Sequence, residues 1–198
     1  MRTHEKMLGV FEQCKAALDD MNIEWRNVEN LIVKRLAANV YGYTDLITAN
    51  GITRYEITIY NLFMDERVSE NAVKGILFHE LLHTVDGCEN HDGKWNVLAK
   101  MVEAKFPGCP ILEHGNNAGI PFEVFRDNFY KGKAKYLLRC NKCGEMFFYR
   151  KLTNGILHHK DMTCNCGGKF ENVEIIGDIS PEDTQNLKEH KVNIKRNR

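Results

Sequence analysis

The residues best equipped for chemistry are His79, Glu80 and His83, spaced as H-E-x-x-H, with His91 eight positions further on. On a helix, imidazoles at i and i+4 stand one turn apart on one face, within reach of a single ion bound at about 2.0–2.1 Å. His91 is the expected third ligand, reached after a break at Asp86-Gly87, and a fourth position then stays open to water. Asp86 and Glu89 are the alternatives to His91, while Asp92 is a candidate to orient a histidine from behind. Glu80, beside His79, suits a general base that takes a proton from a water on the ion as that water attacks a carbonyl. The pattern predicts a catalytic zinc site, because a buried helix has little other use for two imidazoles and a carboxylate together.

A second cluster lies downstream, where Cys140-x-x-Cys143 is followed, twenty residues later, by Cys164-x-Cys166 and Gly167-Gly168. Paired thiolates at that separation match a four-cysteine zinc ribbon, in which a closed tetrahedral ion replaces the core that so small a module cannot build. The C-x-C knuckle is tighter than usual, so His158 or His159 is an alternative ligand to Cys164 or Cys166. An odd total of seven cysteines and the lack of a secretory signal argue against disulfides. The expectation is two zinc ions, one catalytic and one structural.

Several elements must position these groups. Ser69 is a good helix N-cap, Glu70 complements the positive end of the helix dipole, and Val73, Ile76, Leu77, Leu81 and Leu82 supply an apolar face, with Gly87 as a stop. A second helix follows His91, carrying Trp95, Leu98, Met101, Val102 and Phe106 before Pro107-Gly108. Asn30 to Ala37 and Arg54 to Tyr60 read as strands, with Asn50-Gly51 marking a turn between them. The strand from Ile57 to Leu62 is a candidate edge that pairs with an extended peptide. Glu5 to Met21 forms an amphipathic helix whose Met7, Leu8, Phe11, Cys14, Ala17 and Leu18 suit ordinary packing.

Taken together, His79-Glu80-Leu81-Leu82-His83, then His91-Asp92-Gly93, then Trp95 resemble the SprT-like zinc metallopeptidases, the group that includes the Spartan DNA–protein crosslink proteases. In that family a helix carries H-E-x-x-H, a third histidine sits in a short G/N-H-G/D segment, an aromatic residue follows, and a zinc ribbon often comes after. The resemblance spans roughly Val28 to Cys166, its specific part being His79 to Trp95. The chain also resembles the related WLM zincins, whereas the His83 to His91 spacing departs from the metzincin pattern. The resemblance implies an α+β, zincin-like peptidase domain at residues 1–130, a zinc ribbon at 131–177, and protein substrates on or crosslinked to DNA, a DNA-repair role. A short helix capped by Ser180 and Pro181, and a basic, disordered tail from Lys191, would occupy 178–198.

Charge bears on partners. Residues 131–198 hold 14 Lys and Arg against 8 Asp and Glu, a net +6, and residues 1–130 balance them at −6. Lys131, Lys133, Lys135, Arg139, Lys142, Arg150 and Lys151 interleave with Tyr130, Tyr136, Phe147, Phe148 and Tyr149, a composition suited to phosphates and unpaired bases, so single-stranded DNA is the preferred nucleic acid. The alternative is that these aromatics form the ribbon's small core. No apolar run approaches a membrane span, so a cytoplasmic protein, or a nuclear one in a eukaryote, is expected, with no membrane partner. Tyr41, Tyr43 and Tyr60 are candidates to stabilise an oxyanion. Two rival readings stand beside the peptidase. In one, both zinc ions are structural in a nucleic-acid-binding protein, Glu89 or Asp92 filling the first site; in the other, a zincin cuts one regulatory protein docked by the ribbon.

Overall fold

The computed structural model describes residues 1–37, 40–49, 52–111, 119–129 and 133–196. The protein is α+β, and it divides into two compact units, Met1–Val124 and Phe125–Arg198. That division precedes Lys131-Gly132, which lies outside the described residues together with Tyr130, Asn50-Gly51 and the 115–118 loop.

In the first unit, helix α1 (His4–Asp20) starts where the Thr3 side chain accepts from the Lys6 amide, and it buries Met7, Val10, Phe11, Cys14 and Leu18 while Leu8 faces solvent. It packs on α2 (Glu70–Leu82), whose N-terminus is capped by the Ser69 side chain accepting from Ala72 N. The helix ends five residues before Gly87. The His83, Thr84 and Val85 amides bond back three residues to Glu80, Leu81 and Leu82, and the Thr84 hydroxyl donates to the Leu81 carbonyl at 2.8 Å, so the final turn tightens and its carbonyls are satisfied early. Gly87, with φ of 75°, shapes the following turn instead. Helix α3 (Gly93–Lys105) packs on α2 and buries Trp95, Ala99 and Val102, whereas Met101 is exposed.

The sheet of this unit comprises β1 (Val28–Lys34), β2 (Gly42–Ala49) and β3 (Ile52–Tyr60) in the order β1-β3-β2, with β3 parallel to β1 and antiparallel to β2. The expected edge position of the Ile57 to Leu62 strand is therefore corrected. β3 is the central strand, its backbone groups are bonded on both sides, and Ile57, Thr58 and Ile59 are all buried. β2 is an outer strand, as β1 is on the other side. It carries no strong sequence signal because Gly42 and Asp45 interrupt it, both poor strand formers.

The second unit holds β4 (Tyr136–Cys140), β5 (Met146–Tyr149), β6 (Phe170–Ile175) and β7 (Ile194–Arg196), ordered β5-β4-β6-β7, with short helix α5 (Asn154–Leu157) and helix α6 (Pro181–Glu189); α4 (Phe122–Phe129) carries the boundary between units. The tail expected to be disordered is corrected as well. Val173, Glu174 and Ile175 of β6 pair in parallel register with Ile194, Lys195 and Arg196, and Asn197 and Arg198 lie outside the described residues. The cause is packing: Leu187 of α6 is fully buried in the same cluster as Leu138, Ile156 and Val173, and the Tyr136 hydroxyl donates to Asp183 at 2.8 Å. Residues 178–196 thus belong to the fold of the second unit and do not stand apart from it. No helix among the described residues is long and apolar enough to cross a membrane.

Leu187→Ala should accordingly destabilise the second unit by about 2–5 kcal/mol, the cost of emptying a packed leucine site. Hydrogen exchange at the β6 amides reads this directly. A change below about 1 kcal/mol would mean that α6 contributes nothing to the folding of the second unit.

Candidate metal centres and their cleft

His79 comes from the last turn of α2, His83 caps that helix, and His91 arrives just before α3. Their Nε2 atoms converge, with separations of 3.3 Å for His79–His83, 3.0 Å for His83–His91 and 2.9 Å for His79–His91. A tetrahedral ion bound at about 2.0–2.1 Å needs its nitrogens roughly 3.3 Å apart, so the donor set fits a divalent metal with modest adjustment. The His83 Nδ1–H lies 2.9 Å from the Cys88 carbonyl, which fixes the tautomer and turns the Nε2 lone pair toward the other two rings. Asn96 Nδ2 donates to the His91 carbonyl at 3.0 Å and anchors the loop that delivers the third imidazole.

Trp95, buried in α3, lies under all three rings. It meets His79 and His91 edge to face, at centroid distances of 4.9 and 4.5 Å, and stacks near His83 at 5.7 Å. Its indole N–H has no hydrogen-bond partner among the described residues. That position is costly for a buried donor, so the rigid ring surface beneath the imidazoles is what the tryptophan supplies.

Glu80 is 2 % exposed and projects between α2 and β2. The Thr44 hydroxyl lies 2.9 Å from its Oε2 and 3.0 Å from its backbone carbonyl, a shared donor that ties the carboxyl to the outer strand. Gly42, also on β2, is required by this approach: a Cβ there would stand 2.6 Å from Glu80 Oε1. Burial pushes the Glu80 carboxyl up to about 8, and the Thr44 hydroxyl offsets part of the rise. Positive charge at the three nitrogens would return it toward the ionised form.

These groups open on a cleft of about 550 Å³ lined by Gly42, Thr44, Leu46, Tyr55, Glu89 and Asn90 in addition to the histidines and Glu80. The alternative third ligands lie outside the cluster of histidine nitrogens. Asp86 is paired with Arg26, and Glu89 Oε1 accepts from the Gly87 amide at 3.3 Å. Asp92 occupies the α3 N-cap position, and among the described residues the metal-binding group contains only the three histidines. Of the tyrosines, Tyr43 lines the cleft but its hydroxyl bonds Lys34 and Thr58, which lowers its pKa. The Tyr60 phenol is buried beside Arg35, and Tyr41 is not among the cleft's lining.

In the second unit Cys140, Cys143, Cys164 and Cys166 bring their sulfurs within 4.8 Å of one another. Cys140–Cys166 and Cys143–Cys164 are 3.5 and 3.7 Å apart, close to the roughly 3.8 Å edge of a tetrahedron with metal–sulfur bonds of about 2.3 Å. Burial raises the Cys140 thiol, but the amides of Cys143 and Lys142 together with the neighbouring thiols outweigh it and bring it down to about 7, whereas burial raises the Cys143 and Cys164 thiols. The tight C-x-C turn closes through the Gly-Gly that follows it: the Cys164 amide bonds the Gly168 carbonyl at 2.9 Å, and a Cβ at Gly168 would strike Cys140 Sγ. His159 points its ring nitrogens at the Ile156 and Glu171 carbonyls and His158 lies beside Asp161, so neither joins the cluster.

The aromatics of the basic segment serve packing first. Tyr136 is fully buried and bonded to Asp183, Phe147 sits edge-on to Phe170 at 5.3 Å, and Phe148 meets Phe125 at 6.2 Å. Tyr149 packs on the same cluster, Arg139 pairs with Glu174, and Lys142 Nζ donates to the Cys166 carbonyl. Lys133, Arg150 and Lys151 are exposed, and Lys135 is half-buried. Sequence reasoning missed Gly42, Thr44, Asn96 and the Cys88 carbonyl, which act through backbone groups or through partners tens of residues away. No family model matches the chain, and neither does a curated protein or a solved structure.

The buried carboxyl yields a pH test on metal-free protein. A carboxyl whose folded value lies above its ordinary 4.5 costs nothing while it is protonated in both states, and its cost grows as pH rises from about 4.5 to about 8. Glu80→Gln removes that cost, so after chelation its melting temperature should exceed the wild type's by a margin that widens between about pH 5 and pH 8. Tryptophan fluorescence reads the first unit selectively, since Trp25 and Trp95 both lie in it. A margin that stays constant with pH would contradict the burial of an ionisable Glu80.

Proposed function

We propose that the protein is a zinc-dependent endopeptidase of the SprT-like kind, with a zincin-like catalytic unit followed by a zinc ribbon. The observation that carries this reading is the meeting of three imidazole nitrogens within 3.3 Å beside a buried Glu80, on an open cleft, with no carboxylate in the group among the described residues. Such a donor set leaves a coordination position for water, whereas a purely structural zinc would take a fourth protein ligand. Zinc held by His79, His83 and His91 supplies a Lewis acid that polarises a peptide carbonyl and acidifies water. Cys140, Cys143, Cys164 and Cys166 hold the second ion, which stabilises the ribbon.

Glu80 does the proton work. Its carboxylate accepts a proton from the attacking water as the water oxygen bonds the carbonyl carbon; when the C–N bond breaks, the same carboxyl delivers that proton to the departing amine. Thr44 and Gly42 keep the carboxyl in one place, the first by hydrogen bonding and the second by leaving room. β2 borders the cleft and pairs only with β3 among the described residues, so its outer edge suits an extended substrate segment added as a further strand.

The basic excess at residues 131–198 favours protein substrates held on DNA, with single strands preferred. Because most aromatics of that segment are committed to the ribbon's interior, phosphate contacts from Lys133, Arg150, Lys151 and their basic neighbours carry this attraction more than base stacking does.

Glu80→Gln should keep both zinc ions yet cut an unfolded protein such as casein at least about 10²-fold more slowly, as loss of a general base requires. His83→Ala should lose one zinc and all cleavage. Single-stranded DNA should speed cleavage of a basic, DNA-bound protein at low salt and lose this effect as salt rises. Equal cleavage by Glu80→Gln and wild type would refute the mechanism, and indifference to DNA would remove the DNA-linked part alone.

A further inference from the structure

Leu46 is a large apolar side chain, 59 % exposed, on the sheet face that elsewhere buries Ile57 and Ile59. Side chains alternate along a strand, so Gly42, Thr44 and Leu46 share one face of β2, the face that meets Glu80. Their partners on β3 are Ile59, Ile57 and Tyr55. Ile57 and Ile59 are fully buried, and α2 packs on this part of the sheet. The helix stops at Leu82, while the strands run on. Leu46 and the half-buried Tyr55 therefore form a partly exposed apolar shelf beside the part of the sheet that α2 packs on.

The shelf is continuous with the metal cleft. Leu46 and Tyr55 line that cleft and also an adjoining hollow of about 450 Å³, completed by Arg26, Asn27, Thr53 and Asp86. Arg26 and Asp86, the two ionic groups in that lining, are bonded to each other, so neither is left to balance a charge on a ligand. From Thr44, which touches Glu80, to Leu46 is two residues of strand, roughly 6–7 Å, the distance an extended peptide covers in two residues.

We propose that this shelf is a substrate subsite that selects an aliphatic or aromatic side chain about two residues from the bond cut. The inference rests on the peptidase reading and adds a substrate class to it: polypeptide segments with a large apolar residue at that place. In a hydrophobic pocket one methylene more or less changes the rate by roughly 10- to 200-fold, so an apolar shelf of this kind gives a readable preference.

The test uses zinc-loaded full chain and quenched fluorogenic peptides in which one position at a time is varied. Wild type should favour Leu, Ile, Met or Phe over Asp or Glu by about tenfold or more at one position near two residues from the cut. Leu46→Glu, a change at an exposed site whose folding is checked by melting, should abolish that preference and favour Lys or Arg there, leaving other positions unchanged. Cleavage by wild type with no apolar preference, or the same preference in Leu46→Glu, would overturn the subsite while the peptidase reading stands. If Leu46→Glu instead dissolved a dimer seen by sedimentation and left the preference intact, the shelf would be a contact between copies and the subsite would fall. Absence of any cleavage by zinc-loaded wild type would overturn the peptidase reading and the subsite with it.

Discussion

Three imidazole nitrogens held within 3.3 Å of one another are the constraint on which the first unit turns. A neutral imidazole offers one N–H and one lone pair, and His83 has already committed its Nδ1–H to the Cys88 carbonyl. Its Nε2 lone pair therefore faces two further nitrogens, an arrangement that a shared cation satisfies better than protons passed between rings can. Trp95 beneath the rings and Asn96 on the His91 carbonyl hold that geometry from the α3 side, while α2 holds it from the other.

The surrounding fold serves this point. α2 must end at His83 so that the chain can turn back and deliver His91, and the Thr84 hydroxyl with three tightened backbone bonds makes that early stop. The outer strand must come close to the helix, and Gly42 allows it where any larger residue would displace the Glu80 carboxyl. The same strand then extends beyond the helix end, which leaves Leu46 exposed beside the cleft. One helix length thus sets the ligand geometry and the reach of the open groove. The second unit solves a separate problem, building a small core of Tyr136, Leu138, Ile156, Phe170 and Leu187 around a cluster of four cysteines.

Local rules made the candidate ligands legible in the sequence. A one-turn spacing of His79 and His83, a capping Ser69 and paired cysteine knuckles each act within a few residues, where spacing dictates geometry. The Ser180 cap and Pro181 mark α6 for the same reason. What stayed hidden depends on distant partners. β2 is interrupted by Gly42 and Asp45, so its pattern is weak, yet Gly42 is there because Glu80, 38 positions later, needs the space. The central place of β3 follows from pairing order, which alternation along one strand cannot reveal. The tail looked disordered by charge, and only the burial of Leu187 and the parallel pairing of Ile194 to Arg196 with β6 order it.

The most direct measurement of the central claim is a crystal structure of the zinc-loaded protein. Zinc should be bound at about 2.0–2.1 Å by the Nε2 atoms of His79, His83 and His91, with a solvent oxygen in the fourth position near Glu80. A carboxylate of Glu89 or Asp92 bonded to that ion in place of solvent would make the site a closed structural one and contradict the account.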